Sequence, residues 1–363
     1  MELLGKSKNE LRDFCESLGE PAYRGGQIYH ALYAERKNSV REITNLPAAL
    51  RERLAAEATI TLPAIRQTFV SQDGSVRYLL ALPDSGADAK KRSGPASVEA
   101  VFMPSDRRQT ICISTQAGCA VDCQFCLTAQ LGLIRNLTPG EILAQVLIPL
   151  EQRRNQLAFQ TNLVLMGQGE PLLNFDAVMA AIRVVLDPEG IALSPKHVTL
   201  STSGFVPGRA ARCREQIRPK LAISLNASND DQRDAIMPIN RKYPLASLLE
   251  ACRNFPLRPW EHLTFEYVML GGVNDSVEDA RRVVRLLARL KSLKVNLIPW
   301  NPGELPYRES SPESIEAFRK VLVDRGVPAF VRYSRGRDVM AACGQLALLN
   351  IAPANAGTTA AQS

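Results

Sequence analysis

Long apolar runs are missing from this 363-residue chain, so no helix able to cross a bilayer is expected. The opening residues, Met1-Glu2-Leu3-Leu4-Gly5-Lys6, lack the basic-then-apolar order of a secretory leader. Histidine is scarce: His30, His197 and His262 lie far apart, which argues against a zinc centre that adds histidines to neighbouring cysteines. Internal repeats and long low-complexity segments are absent too, so the length is read as one barrel plus an accessory piece. Cysteine is present but not arranged as a disulfide framework: of eight, three fall within eight residues. Thiols used in that way are kept reduced for metal or catalysis, and the expected compartment is the cytoplasm. Nor is there an acidic excess; a formal net charge of +7 favours polyanionic partners without identifying one.

The elements follow from period and punctuation. Ser7-x-x-Glu10 is a capping box, and Leu11, Phe14, Cys15 and Leu18 follow it at helical spacing. Further helices are expected over Gln27–Tyr33 and Ala48–Ala58, making residues 1–64 a small helical accessory domain. It carries Arg24, Arg36, Lys37, Arg41, Arg51 and Arg53 among acids, which suits either an ordinary solvated surface or an RNA contact face. Two strands joined at Asp73-Gly74 come next, then a polar loop with Lys90-Lys91-Arg92, then a strand over Val98–Met103. From Ile111 the pattern alternates. Strands are expected at Ile111–Ser114, Leu163–Met166, His197–Ser201, Leu221–Leu225, Thr264–Leu270 and Lys294–Pro299. Helices are expected at Pro139–Gln152, Asp176–Leu186, Pro207–Cys213, Leu245–Asn254, Val277–Leu290 and Pro312–Arg325. Alternating β and α units call for parallel strands with right-handed crossovers, and six units are too few to close an eight-fold barrel. The expected fold class is therefore α/β: a partial (β/α)6 barrel with a β extension over residues 65–349, followed by a flexible tail, 350–363.

The chemistry concentrates in Cys119-Ala120-Val121-Asp122-Cys123-Gln124-Phe125-Cys126. C-x3-C-x2-C lets one tight loop aim three thiolates at a single inorganic centre. A four-iron cluster held by three cysteines keeps one iron open to bind another molecule, whereas zinc sites pair C-x2-C units or add histidine. The loops after successive strands are rich in small polar residues: Gly167-Gln168-Gly169-Glu170, Ser201-Thr202-Ser203-Gly204, Ser224-Leu225-Asn226 and Trp300-Asn301-Pro302. That is the face on which α/β barrels build active sites. The glycines permit close approach of a ligand to backbone, and Glu170 offers a carboxylate to a cationic amine. Each of these loops also reads as a simple turn or cap.

The cysteine spacing with Phe125, followed by the Gly-x-Gly-Glu turn, resembles the radical S-adenosylmethionine (SAM) superfamily. Gln116-Ala117-Gly118-Cys119, Thr128-Ala129-Gln130-Leu131-Gly132, Arg135-Asn136-Leu137-Thr138 and Ala341-Ala342-Cys343-Gly344-Gln345-Leu346 narrow the resemblance to the RlmN/Cfr family of adenine methyltransferases, over nearly the whole chain. The resemblance implies a [4Fe-4S] cluster on Cys119, Cys123 and Cys126. It implies two SAM molecules per turnover, held by Gly169, Glu170, Ser201, Ser224, Leu225, Asn226 and Asn301. Cys343 would take a methyl group from the first SAM, and a radical made from the second would activate that methyl for attack on C2 of adenine. Cys112 would release the RNA by forming a disulfide with Cys343, and Glu99 would accept a proton. The implied substrates are 23S ribosomal RNA and transfer RNA; the implied helper is an electron donor such as flavodoxin, and the expected state is a monomer. Gln168 and Asn226 depart from the methionine and histidine common at those positions. Without the resemblance, Cys112 in its apolar strand and Cys343 in an Ala-rich, helical-looking tail read as packing residues, Glu99 reads as surface, and Cys15, Cys213 and Cys252 as structural. Two alternatives stay open: methylation at C8 instead of C2, and a non-catalytic RNA-binding protein with a structural metal.

Overall fold

The structure, a computed structural model, describes residues 1–83, 96–204 and 218–348. The expected helix at 207–213 with Cys213, the basic run at 90–92 and the tail from 350 lie outside the described residues. Three helices open the chain: α1 (Lys8–Ser17), α2 (Tyr23–Tyr33) and α3 (Ala48–Glu57). The capping box at Ser7 and Glu10 forms as expected. Each helix turns one apolar stripe inward, with Leu11 and Cys15, Ile28 and Leu32, and Leu50 and Leu54 buried.

Three antiparallel strands, β1 (Ala64–Val70), β2 (Val76–Ala81) and β3 (Ser97–Pro104), lead to β4 (Arg108–Cys112). A separate two-stranded sheet, β5 (Gln116–Gly118) with β6 (Leu133–Asn136), brackets the short helix α4 (Leu127–Gln130). The main sheet continues from β4 in parallel through β7 (Gln160–Leu165), β8 (Val198–Thr202), β9 (Lys220–Ser224), β10 (Leu263–Met269), β11 (Leu293–Pro299) and β12 (Ala329–Val331). Helices α5 (Pro139–Gln152), α6 (Phe175–Leu186), α7 (Asp230–Ile236), α8 (Leu245–Arg253), α9 (Val277–Leu287) and α10 (Pro312–Asp324) join them.

The six expected barrel strands are all present as parallel neighbours, with three antiparallel strands extending the edge. The structure adds β12, whose three residues are too few to show a period of two. It also adds the β5–β6 hairpin and α7, short elements embedded in motif-bearing segments. Among the described residues no helix is long and apolar enough to cross a membrane.

The N-terminal helices share one hydrophobic core with α5 and α6. Their docking depends on two glycines. Gly5 has φ +95°, and a Cβ there would meet the Gly140 nitrogen at 2.5 Å; a Cβ on Gly140 would meet the Leu4 carbonyl at 2.6 Å. The backbones therefore touch at the first turn of α5. Tyr33 Oη fixes the same joint, accepting from the Gly5 amide and donating to the Lys6 carbonyl, both at 2.9 Å.

Beyond β12 the chain crosses back over the open side of the barrel to the antiparallel strands. Ser71 Oγ donates to Asp338 at 2.6 Å, and the Gly336 amide donates to Asp73 at 2.9 Å. Arg335 donates to the Pro104 carbonyl and ion-pairs with Asp73. At its far end the Leu348 amide donates to Glu99 at 3.0 Å. This strap holds Cys343.

Replacing Gly140 by Ala forces the α5 start away from residue 4. The expected cost, typical of overpacking, is about 1–3 kcal/mol, read as a lower midpoint of urea unfolding with an unchanged slope.

Candidate active site

The site is built at the C-terminal ends of the parallel strands. After β4 the chain runs through Ser114 and Thr115 into β5, and the cysteine loop leaves β5 and returns through β6. The neck of that loop is closed where the Cys119 amide donates to the Gly132 carbonyl at 3.0 Å. Gly118 has φ +72°, and a Cβ there would lie 1.8 Å from the same carbonyl, so only glycine fits. Cys119, Cys123 and Cys126 line one wall of a cavity whose opposite wall comes from strand ends: Gly167, Gly169 and Glu170 after β7, Ser201 and Ser203 at β8, Ser224 and Asn226 at β9, and Asn301 after β11.

Burial pushes the Cys119 thiol up to about 12, and Cys123 and Cys126 rise as well; around Cys123 the other two cysteines add to the effect of burial. Three enclosed thiols that oppose one another's ionisation become thiolates together only around strong positive charge. Among the described residues no three His, Cys, Asp or Glu side chains gather closely enough for a single metal ion. Three cysteines with no histidine on the same wall suit a multi-iron cluster with one open iron and not the paired-cysteine or histidine-completed set of zinc. Phe125 and Trp300 cover the cysteines on the apolar side, and Trp300 Nε1 donates to the Phe125 carbonyl at 3.1 Å.

The Gly-x-Gly turn differs from expectation in what it approaches. A Cβ on Gly167 would meet Ser114 Oγ at 2.7 Å, and one on Gly169 the Gln116 amide nitrogen at 2.7 Å. The close neighbour is therefore the β4–β5 connection itself. Glu170 is buried. One of its oxygens accepts from the Leu172 amide at 3.0 Å, and the other from the Ser203 amide and hydroxyl at 2.7 and 2.8 Å. Burial raises its pKa against those hydrogen bonds. The Thr202 hydroxyl joins these donors, so the carboxylate is held by the protein on both oxygens at the cavity wall.

Asn226 has φ +54°. Its amide group is spent on the protein, donating to Met237 Sδ at 3.2 Å and accepting from the Val268 amide at 2.8 Å. Leu225 is fully buried, points into the core and does not line the cavity. Asn301 lines it but donates to the Cys343 carbonyl and to Ser334 Oγ, both at 3.0 Å, fastening the strap.

Cys343 does not lie in a helix. It sits in a turn between Met340 (φ +54°) and Gly344 (φ +80°). The Leu127 amide of the cysteine loop donates to the Gly344 carbonyl at 2.8 Å, and Thr128 Oγ1 to the Leu346 carbonyl at 2.6 Å. Cys343 is exposed, but into cavities and not to bulk solvent: it lines the cysteine-walled cavity and also a second one deeper in the barrel, which Cys112 lines as well. Burial, then the Cys343 thiol, hold Cys112 up at about 12. The disulfide expected between these two is absent; all seven described cysteines are free.

Glu99 is not a surface residue. It is fully buried, ion-paired with fully buried Arg77, and it also accepts from Gln168 Nε2 at 3.4 Å and the Leu348 amide at 3.0 Å. It lines neither cavity; its partners make it an anchor of the strap. Cys15 and Cys252 are buried in the core, as expected.

Arg233 escaped the sequence reading. Buried, it donates to the Ser203 carbonyl at 2.6 Å, the Ser224 carbonyl at 3.0 Å and the Leu225 carbonyl at 3.1 Å, tying the ends of β8 and β9 together beside Cys123. Its only signal was a charged residue on the inner face of the short helix α7.

Changing any one of Cys119, Cys123 or Cys126 to Ser is expected to remove most protein-bound iron after anaerobic reconstitution. Cys252→Ala, in the core of α8, is expected to keep it; iron and sulfide analysis checks both.

Residues 113–287 match the model of the radical SAM superfamily, and residues 1–60 match that of the ribosomal RNA large subunit methyltransferase N-terminal domain. A probable dual-specificity RNA methyltransferase RlmN of Koribacter versatilis is 48% identical, covering 91% of this chain and 97% of its own. The dual-specificity RNA methyltransferase RlmN of Anaeromyxobacter dehalogenans is 46% identical, covering 95% and 91%. The crystal structure of a radical SAM methyltransferase from Sphaerobacter thermophilus superposes with a TM-score of 0.88 at 39% identity, over 96% of this chain and all of that one. With its cysteine-walled cavity at the strand ends and these relatives along nearly its full length, the chain belongs to the RlmN family of radical SAM RNA methyltransferases.

Proposed function

We propose that this enzyme methylates C2 of an adenine in 23S ribosomal RNA at the peptidyl-transferase centre, and of the adenine beside the anticodon in transfer RNA, with Cys343 as the methyl carrier. The observation that carries the reading is the position of Cys343 on the wall common to two cavities, one lined by the three cysteines and the other by Cys112. C2 lies between two ring nitrogens and is electron-poor, so it does not attack an electrophilic methyl group. A [4Fe-4S] cluster and SAM, the cofactors of the family, supply the carbon radical chemistry that such a position needs.

The chain's own residues supply placement. Cys119, Cys123 and Cys126 would hold the cluster, with the Gly169–Glu170 turn, Ser201 and Ser224 beside it for SAM. Asn301 and Gly344 hold the Cys343 turn against the cysteine loop, and Glu99 holds the end of the strap. Cys343 captures a methyl group and presents it to the RNA base from the deeper cavity. Cys112, facing the same cavity, releases the base from Cys343. The N-terminal helices are the proposed contact for RNA phosphates. Arg36, Arg41 and Arg53 each already lie 3.0–3.5 Å from a carboxylate, so they act in competition with those pairs. An electron donor such as flavodoxin and a monomeric state belong to the same reading.

Mass spectrometry of ribosomal RNA from cells lacking and regaining the protein is expected to show 2-methyladenosine restored; an 8-methyl product would overturn the assignment. Cys112→Ala is expected to accumulate a protein–RNA covalent complex, and Cys343→Ala to form none; equal cross-linking in both variants rejects the two roles. The Cys343 thiol is held up by burial and then by the Glu266 carboxylate. Methyl capture needs the thiolate, so its rate is expected to rise with pH towards that elevated pKa. Glu266→Gln removes one cause and is expected to move the rise to lower pH, measured from the mass of the Cys343 peptide.

A further inference from the structure

The strap meets itself at Asn301. The stretch just after β12, ending in Ser334, and the later turn at Cys343 are held by one side chain: Asn301 Nδ2 donates to Ser334 Oγ and to the Cys343 carbonyl, each at 3.0 Å. Asn301 is buried and lines the cysteine-walled cavity, Ser334 lines the deeper one, and Cys343 lines both. Ser334 has little freedom of its own. On one side of it the Arg332 amide donates to the Leu297 carbonyl at 2.8 Å. On the other, Arg335 and Gly336 are fastened to Pro104 and Asp73.

A serine hydroxyl has one hydrogen to give and lone pairs to accept with. Asn301 donates to the Ser334 oxygen, so that hydrogen remains, and the Cys343 side chain is a partner for it. A donor aimed at sulfur favours the thiolate over the thiol. Other groups face the same sulfur from several elements. Burial comes first in raising the Cys343 thiol, and Glu266 on β10 and Cys126 in the cysteine loop add to it. Cys112 on β4 feels Cys343 in turn. The cations Arg108, Lys220, Lys294, Arg332 and Arg335 line the deeper cavity, and Glu170 lines the other. Against burial and the anionic neighbours, Ser334 favours the anion by direct contact.

We propose that Ser334 is a positioning residue for the methyl carrier: oriented by Asn301, its hydroxyl donates to the Cys343 sulfur and holds it as a nucleophile at the wall between the two cavities. The inference rests on the reading of Cys343 as that carrier and names the group that prepares it. The hydroxyl takes up no proton and forms no bond to the methyl group; it acts through the sulfur. An alkylated sulfur is a thioether and a weak acceptor, so the hold loosens once the sulfur is loaded.

The test uses full-length, iron-loaded protein under anaerobic conditions with iodoacetamide as the probe. The rate of Cys343 alkylation is read from the mass of its peptide between neutral and high pH. Ser334→Ala is expected to react about tenfold more slowly at neutral pH, with the rise in rate displaced about one pH unit upward, because losing a donor to the anion raises the thiol's pKa. At the high end the two curves are expected to converge, whereas a merely misplaced sulfur reacts more slowly at every pH. Ser334→Thr keeps a hydroxyl and is expected to restore the wild-type profile. Iron content and thermal unfolding report whether each variant folds; if the Ala variant does not, Ser334→Gly, which also lacks the hydroxyl, takes its place. A wild-type profile in the variant without the hydroxyl overturns the proposal. So does a uniform slowing at all pH, or a Thr variant as slow as the Ala one. Exposing the same proteins to SAM separates this inference from the reading beneath it. A methyl group on wild-type Cys343, with no displacement of the alkylation profile in the Ala variant, removes this inference alone. No methyl group on wild-type Cys343 removes the functional reading and, with it, the part of Ser334 in methyl capture.

Discussion

A hydrogen bond of 2.8 Å from the Leu127 amide to the Gly344 carbonyl joins two segments that the sequence keeps far apart, and the active site depends on it. On one side is the cysteine loop, closed at its neck by Gly118 and Gly132. On the other is the strap that leaves β12 and carries Cys343. Thr128 to Leu346, Asn301 to Cys343, and Gln345 Nε2 to the Pro302 carbonyl at 2.8 Å repeat the join in neighbouring positions. Individually such bonds contribute about 1 kcal/mol, and set side by side along one seam they reinforce one another. The barrel supplies the rigid frame in which this seam forms.

Buried charge has a matching role. Arg77 with Glu99, Arg218 with Glu261 at 2.7 Å, and Arg233 on its ring of carbonyls are all withdrawn from solvent. Buried pairs of this kind add little net stability over apolar residues of the same volume, yet losing one partner leaves the other stranded at a cost of about 3–5 kcal/mol. Their effect here is on geometry. Glu99 fixes the strap's end, Arg218 fixes the approach to β9, and Arg233 fixes the strand ends opposite the cysteines. A barrel with all of its apolar contacts but without these three would have the right fold and a loosely placed site.

Much of this was legible beforehand. The cysteine spacing, the β/α alternation and the small polar residues at strand ends are local patterns, and local patterns survive in a linear text. The same is true of the capping box at Ser7 and of the Pro139 start of α5. Less legible was anything that depends on where two distant segments meet. Glu99 looked exposed because its strand alternates, but both faces of β3 are covered, so the alternation carried no information about solvent. Met340, Cys343 and Gly344 looked helical because alanine neighbours favour helix, whereas contacts to the cysteine loop hold the segment in left-handed turns. Gly167 and Gly169 were correctly singled out for close approach, but the neighbour they admit is the chain's own β4–β5 connection. Arg233 gave only the faint signal of a charge on a short helix, since its importance comes from carbonyls at the ends of two different strands.

The strap has one more consequence. A partial barrel leaves a gap between its first and last strands, and here the chain fills that gap with the very segment that bears the proposed methyl carrier. The stopper of the vessel and the reagent are one piece of backbone. Every bond that keeps water out, from Asp73 and Asp338 at one end to Leu348 at the other, also shortens the leash on Cys343. How tightly the interior is sealed and how far the sulfur can swing between the two cavities are therefore a single mechanical quantity, set by the same handful of hydrogen bonds.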